Sequence, residues 1–86
     1  MPIIATFFGI VIRMYYDEHG PPHIHVEYQN KKALLDFMGN VIKGEMNSRT
    51  ALKLVREWID LHEHELMDNW NFARTGSEIR KIDPLN

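Results

Sequence analysis

The chain contains no cysteine. Disulfides, thiolate metal sites and cysteine nucleophiles are therefore excluded, and a reducing compartment is permitted. No apolar run approaches the roughly 20 residues needed to span a bilayer, so no membrane association is expected. The opening Met1-Pro2-Ile3-Ile4-Ala5-Thr6-Phe7-Phe8 lacks a basic start and a small-residue cleavage site, which makes it a poor secretory signal. A cytoplasmic location is the resulting expectation. Positive charge is not in excess either: ten Lys and Arg against twelve Asp and Glu leave −2 with neutral histidines. Bulk electrostatics of that sign do not attract nucleic acid, although a local basic patch is compatible with them. Also missing are the phosphate-binding P-loop, Gly-x-Gly-x-x-Gly, Gly-x-Ser-x-Gly, the zinc-protease spacing His-Glu-x-x-His and the aromatic signature of RNA-recognition domains. No repeat, linker or low-complexity segment interrupts the chain.

What is present reads as one globular domain over residues 1–86, with 44% apolar and 26% charged residues. Residues 3–16 are β-branched and aromatic almost throughout, with Gly9 as a break or bulge, which predicts two short strands over about 2–8 and 10–16. Ile10, Ile12, Met14 and Tyr16 then share a core face, and Val11, Arg13, Tyr15 and Asp17 share the other. A strand over 23–29 follows a turn at 17–22. Next come a polar turn Gln29-Asn30-Lys31-Lys32, a strand Ala33 to Met38, a tight turn at Gly39-Asn40, and a strand over 41–46.

From residue 47 the apolar period changes to that of a helix. Leu52, Val55, Ile59, His62 and Leu66 recur at helical spacing, widened by Leu54, Trp58 and Leu61, with Asn47 or Ser48 as N-cap and Gly76 as the stop. A helix over about 48–74 would measure about 39 Å, long enough to predict a kink near 62–68 or an overhang. The tail 77–86 is polar apart from Ile79, Ile82 and Leu85, and is expected to add an edge strand or hang loose. The fold class is thus α+β, an antiparallel meander of four to five strands packed on one long C-terminal amphipathic helix. One helix cannot cover such a sheet, so its second face stays polar or meets a partner.

The chemistry concentrates in Asp17-Glu18-His19-Gly20-Pro21-Pro22-His23-Ile24-His25-Val26-Glu27-Tyr28, which holds three of the five histidines. Gly20 and the two prolines stiffen the turn. On a strand, His23, His25 and Glu27 share one face, while Ile24, Val26 and Tyr28 share the other. Antiparallel pairing would set Arg13, Tyr15 and Asp17 beside the histidine face. Imidazoles on alternate strand positions suit proton transfer near neutral pH and also suit a transition metal. His23, His25, Tyr15 and Arg13 are the candidate catalytic side chains, and Asp17, His19, Glu27 and Tyr28 the candidate ligand contacts. Any metal, a divalent ion, would fall to His19, His23 and His25, with Asp17 completing the set. A hydrogen-bonded structural face is the competing reading. No organic cofactor is indicated.

Elsewhere the structural reading dominates. His62 and His64 diverge on a helix, His62 half-buried and hydrogen-bonded, His64 solvated. Trp58 and Trp70 are expected in the core, and Trp70 with Phe72 offers the alternative of a partner anchor. Arg49, Lys53 and Arg56, and Arg74, Arg80 and Lys81, form modest basic strips, read as solvated flanks before RNA or acidic-partner contacts.

Three groups of residues carry a resemblance: Ile3-x-x-x-Phe7-x-Gly9-Ile10-x-Ile12-x-Met14-Tyr15, then Asp17-x-His19-x-Pro21-Pro22-His23-x-His25-Val26-x-Tyr28, then Trp58 with His62 and Leu66. Together they resemble the bacterial domain-of-unknown-function family 4160 across nearly the whole chain. The resemblance implies a bacterial cytoplasmic protein, a toxin-like component of a toxin–antitoxin-type pair working with a small protein partner. It implies no established reaction. Two functional expectations follow. One is a metal-independent ribonuclease, with His23 and His25 as base and acid, Arg13 on the phosphate and Tyr15 or Tyr28 orienting it. The other is a non-enzymatic module that docks a small partner, with a histidine-based metal-binding protein as a third.

Overall fold

The computed structural model describes residues 2–86; Met1, the first residue of the expected domain, lies outside them. Five strands run in order: β1 (Ile3–Phe7), β2 (Ile10–Arg13), β3 (His23–Tyr28), β4 (Lys31–Asp36) and β5 (Val41–Gly44). Each pairs antiparallel with the next, so the sheet is a five-stranded meander followed by two helices, α1 (Arg49–Leu61) and α2 (Glu63–Thr75). This is the expected α+β class.

Two hairpins close through two-residue turns whose backbone is left-handed at both positions. These are Phe8-Gly9, with φ of 50° and 79°, and Gln29-Asn30, with φ of 47° and 67°. Such turns match the natural twist of a hairpin. Gly9 is therefore a turn residue, not a bulge, and the polar turn expected over 29–32 contracts to 29–30 because Lys31 and Lys32 join β4. Three strands stop two or three residues short of their expected ends, at Arg13, at Asp36 and at Gly44. At the second stop the Asp36 carboxylate accepts hydrogen bonds from Met38 N, Asn40 N and Asn40 Nδ2. Burial pushes this carboxyl up, but those bonds outweigh it and hold it below its ordinary value. Beyond the turn, Gly44 ends β5 with φ 80°, and a Cβ there would lie 2.2 Å from the Lys32 carbonyl oxygen. Only glycine permits that approach of β5 to β4.

Ser48, one of the two expected caps, accepts Ala51 N through Oγ at 3.1 Å and starts α1. The continuous helix expected over 48–74 is divided at His62, at the near end of the expected kink range. There φ and ψ of −126° and 26° leave the helical region. His62 N–H still donates to Trp58 O and Ile59 O, and its own carbonyl accepts Leu66 N, so the break leaves these backbone groups satisfied. The reason is dimensional. A straight helix of about 39 Å would overrun a molecule whose longest dimension is 34 Å. Breaking it keeps Leu66, Trp70 and Ala73 of α2 in the same core as Val55, Trp58 and Ile59 of α1.

That core lies on one face of the sheet, against Ile4, Ile10, Ile12, Met14, Ile24, Val26 and Leu35. Two expected core members are excluded. Tyr16 lies beyond the end of β2, is 44% exposed, and uses its hydroxyl to accept Ile79 N; Leu61, at the C-terminus of α1, is 68% exposed. The tail neither forms a strand nor hangs loose. Ile79 and Ile82 are buried, Ile82 N donates to Ile4 O, and Trp58 Nε1 donates to Asp83 O. Buried Asn69 makes a reciprocal pair with Arg80, donating to its carbonyl at 2.7 Å and accepting its N–H at 2.9 Å. The tail is a strap that closes the core beside β1.

Candidate functional site

The second face of the sheet carries the nominated polar side chains. Register places Arg13 of β2 opposite His25 of β3, His25 opposite Leu34 of β4, and Leu34 opposite Lys43 of β5. Same-face alternation adds Tyr15, Glu27 and Lys32 beside that row. These side chains line an open groove of about 310 Å³, floored by Leu34 and the backbone of Val26, Ala33 and Gly44. Among its charged members, Arg13 and Glu27 form an ion pair at 2.5 Å. Lys32 and Lys43 make no ion pair among the described residues. The lining thus holds three cations against one carboxylate, in a chain that is negative overall.

At one end of the groove the stiff turn delivers a second cluster. His25 Nε2 lies 2.5 Å from Glu18 Oε1, and the Tyr15 and His25 rings meet in a T-shaped contact at 4.3 Å between centroids. His23, the first residue of β3, sits where the two faces of the sheet meet. Its ring is 5.4 Å from that of His25 and 5.2 Å from that of Trp70 in α2. It is 6% exposed. Its Nδ1 contacts the Pro21 carbonyl at 2.9 Å, and since a carbonyl only accepts, Nδ1 carries the hydrogen. In the neutral ring, Nε2 then presents a lone pair. That atom is buried with no hydrogen-bond partner among the described residues and lies 3.3 Å from the same Glu18 Oε1, an ion-pair distance when the ring is protonated. Glu18, His23 and His25 each bring one donor atom to within 4.8 Å of the others, and they are the residues here able to hold a metal ion.

The nominated residues therefore divide. Arg13, Tyr15, His25 and Glu27 come together in the groove, and His23 adjoins it behind His25. Tyr28 does not join them: it packs on the core side, where its ring would be 3.7 Å from a Cβ at position 9. Asp17 and His19 are exposed, without a hydrogen bond or ion pair to the cluster. Glu18 takes the place expected for Asp17 or His19. Strand parity pointed to Asp17, but β2 ends at Arg13, and a left-handed Asp17, φ 57°, carries Glu18 toward the histidines. Its one sequence signal is that it is a carboxylate inside the histidine-rich stretch. His62 and His64 behave as expected. His62 is held to Glu65 at 2.6 Å, and the side chain of His64 is 97% exposed. Trp58 and Trp70 are both core.

Fold and site together define a small α+β domain that covers one sheet face with helices and leaves a polar face open. The chain belongs to the family described as Domain of unknown function (DUF4160), whose profile matches residues 9–71. The match spans the groove, Glu18, His23, His25 and most of both helices. No curated protein and no solved structure matches the chain. No helix among the described residues is long and apolar enough to cross a membrane.

Proposed function

We propose that the open sheet face binds a phosphodiester ligand, single-stranded RNA, and that His25 marks its reacting end, in a toxin-like bacterial cytoplasmic protein. One observation carries this reading: the groove sets Arg13, Lys32 and Lys43 beside Tyr15 and His25 over an apolar floor. Cations match phosphate oxygens, and Tyr15 and Leu34 offer surfaces to a base. A groove of about 310 Å³ is at the small end of ligand sites and fits one nucleotide unit. Of the histidine pair expected to act as base and acid, His25 faces the groove, while His23 is closed off behind it against Trp70.

The test is polarisation of a labelled single-stranded RNA over a salt series. Each phosphate contact contributes about −0.7 to the slope of log K against log salt. Lys32→Ala with Lys43→Ala is expected to lower the slope by about 1.4 and weaken binding at low salt. Equal affinity and equal slope in wild type and double variant would refute the reading.

A partner-binding role is favoured by a separate feature. The β1 edge is overlaid by the tail, whereas β5 is an unpaired edge bearing exposed Val41 and Ile42, with Met38 81% exposed at the preceding turn. An open apolar edge is a template for strand addition, the form in which a small partner protein would engage this chain.

A further inference from the structure

We propose that Glu18, His23 and His25 form a binding site for one divalent transition-metal ion, through Glu18 Oε1, His23 Nε2 and His25 Nε2, with an open position toward the groove. The argument begins with His23. A buried imidazole nitrogen without a partner costs stability, and proteins rarely leave one so. In the neutral ring the idle atom carries a lone pair, because the Pro21 carbonyl holds the one hydrogen on Nδ1. A donor or a cation satisfies that lone pair, whereas the Glu18 oxygen it faces, itself an acceptor when ionised, does not. A ligating histidine whose other nitrogen donates to a backbone carbonyl is the usual second-shell arrangement of metal sites. The Gly-Pro-Pro turn supplies it here.

Two of the three donor separations fit a metal with one small adjustment, and the third, between the two imidazole nitrogens, is within 4.8 Å. Ligands on a tetrahedral centre with bonds of about 2.05 Å lie about 3.3 Å apart. Glu18 Oε1 to His23 Nε2 is 3.3 Å already. Glu18 Oε1 to His25 Nε2 is 2.5 Å and opens by about 0.8 Å. Glu18 can make that movement, since it sits on the turn with its side chain 27% exposed. Trp70 walls the inner side of His23, and His25 lines the groove, so the vacant coordination position faces solvent and ligand.

The donor set selects the ion. Two imidazoles and one carboxylate suit zinc or iron(II), whereas magnesium and calcium demand oxygen. Three protein ligands with one open position is the pattern of catalytic rather than structural zinc. The choice of redox-silent zinc over iron(II) rests on the phosphodiester reading above, in which a bound metal polarises a phosphoryl oxygen or activates water. The donor set itself does not depend on that reading.

Chelator-treated protein is titrated with Zn²⁺ against a chromophoric competitor, without RNA, and in parallel with Fe²⁺ under anaerobic conditions and with Mg²⁺. Wild type is expected to bind one Zn²⁺ or Fe²⁺ per chain and no Mg²⁺ at comparable concentration. Glu18→Gln and His25→Gln alter half-exposed side chains, leave the core intact, and are each expected to weaken binding at least tenfold. His64→Ala, remote from the cluster, is expected to leave it unchanged, and Co²⁺ is expected to give the visible spectrum of a low-coordinate nitrogen and oxygen site that both cluster variants abolish. Absence of stoichiometric metal, or binding insensitive to Glu18→Gln and His25→Gln, overturns the site even if RNA binds with the expected salt slope. Metal bound through these residues with no RNA affinity upholds the site and removes the phosphodiester reading.

Discussion

Replacing His23 with leucine separates a side chain kept for stability from one kept for a ligand. His23→Leu removes the hydrogen bond from Nδ1 to Pro21 O, worth about 1 kcal/mol. Pro21 is exposed, so its carbonyl can turn to water. The substitution also removes the buried unpartnered Nε2, whose desolvation costs about 1–3 kcal/mol. Leucine keeps an apolar contact with Trp70. The balance favours the variant by about 1 kcal/mol, whereas truncating an ordinary buried residue costs about 2–5 kcal/mol. With a urea m-value of about 1 kcal/mol/M, the midpoint of the variant rises by about 1 M when unfolding is followed by tryptophan fluorescence in excess chelator at pH about 8. Zinc should invert the ranking. At a free concentration a hundredfold above its dissociation constant it adds about 2.7 kcal/mol to wild type and nothing to the variant. A fall in the chelator midpoint of more than about 1 M would show that Nε2 is not idle, and the metal argument would lose its starting point.

Two further predictions concern the frame that holds the site. Asn69→Ala deletes both hydrogen bonds to Arg80 and leaves its N–H and carbonyl without this partner, so it is expected to cost about 1–3 kcal/mol, to release the tail, and to raise hydrogen exchange at Arg80 and Ile82; protection unchanged at those amides would contradict the strap. Asp36 has a folded-state pKa held below its ordinary value, so its contribution is present above about pH 3.9 and is lost as pH falls through the folded value. Wild type should therefore lose more stability than Asp36→Asn between about pH 5 and pH 2.5, and parallel acid-unfolding curves would refute the role of the turn.

The meander and the helical half follow from local rules that each segment obeys alone. β-branched runs broken at Gly9 and at Asn30 make strands, alternation at 23–28 divides inward Ile24 and Val26 from outward His25 and Glu27, and Ser48 and Gly76 bound the helical region. The alternation also brought Arg13 and Tyr15 to the histidine face, because antiparallel pairing of same-face residues leaves few other arrangements. Where periodicity ends, the reading from sequence ends with it. Residues 14–22 belong to no strand, so nothing in their spacing distinguishes Glu18 from Asp17 or His19. The fold makes that choice by turning Asp17 left-handed. Burial of His23 is likewise a tertiary fact, set by Trp70 arriving from α2 some 47 positions along the chain. The same holds for the break at His62 and for the strap, since each depends on the finished size and shape of the core. Local sequence determined which elements form and which residues face outward; only the packed structure decided that a glutamate and two histidines converge on one point.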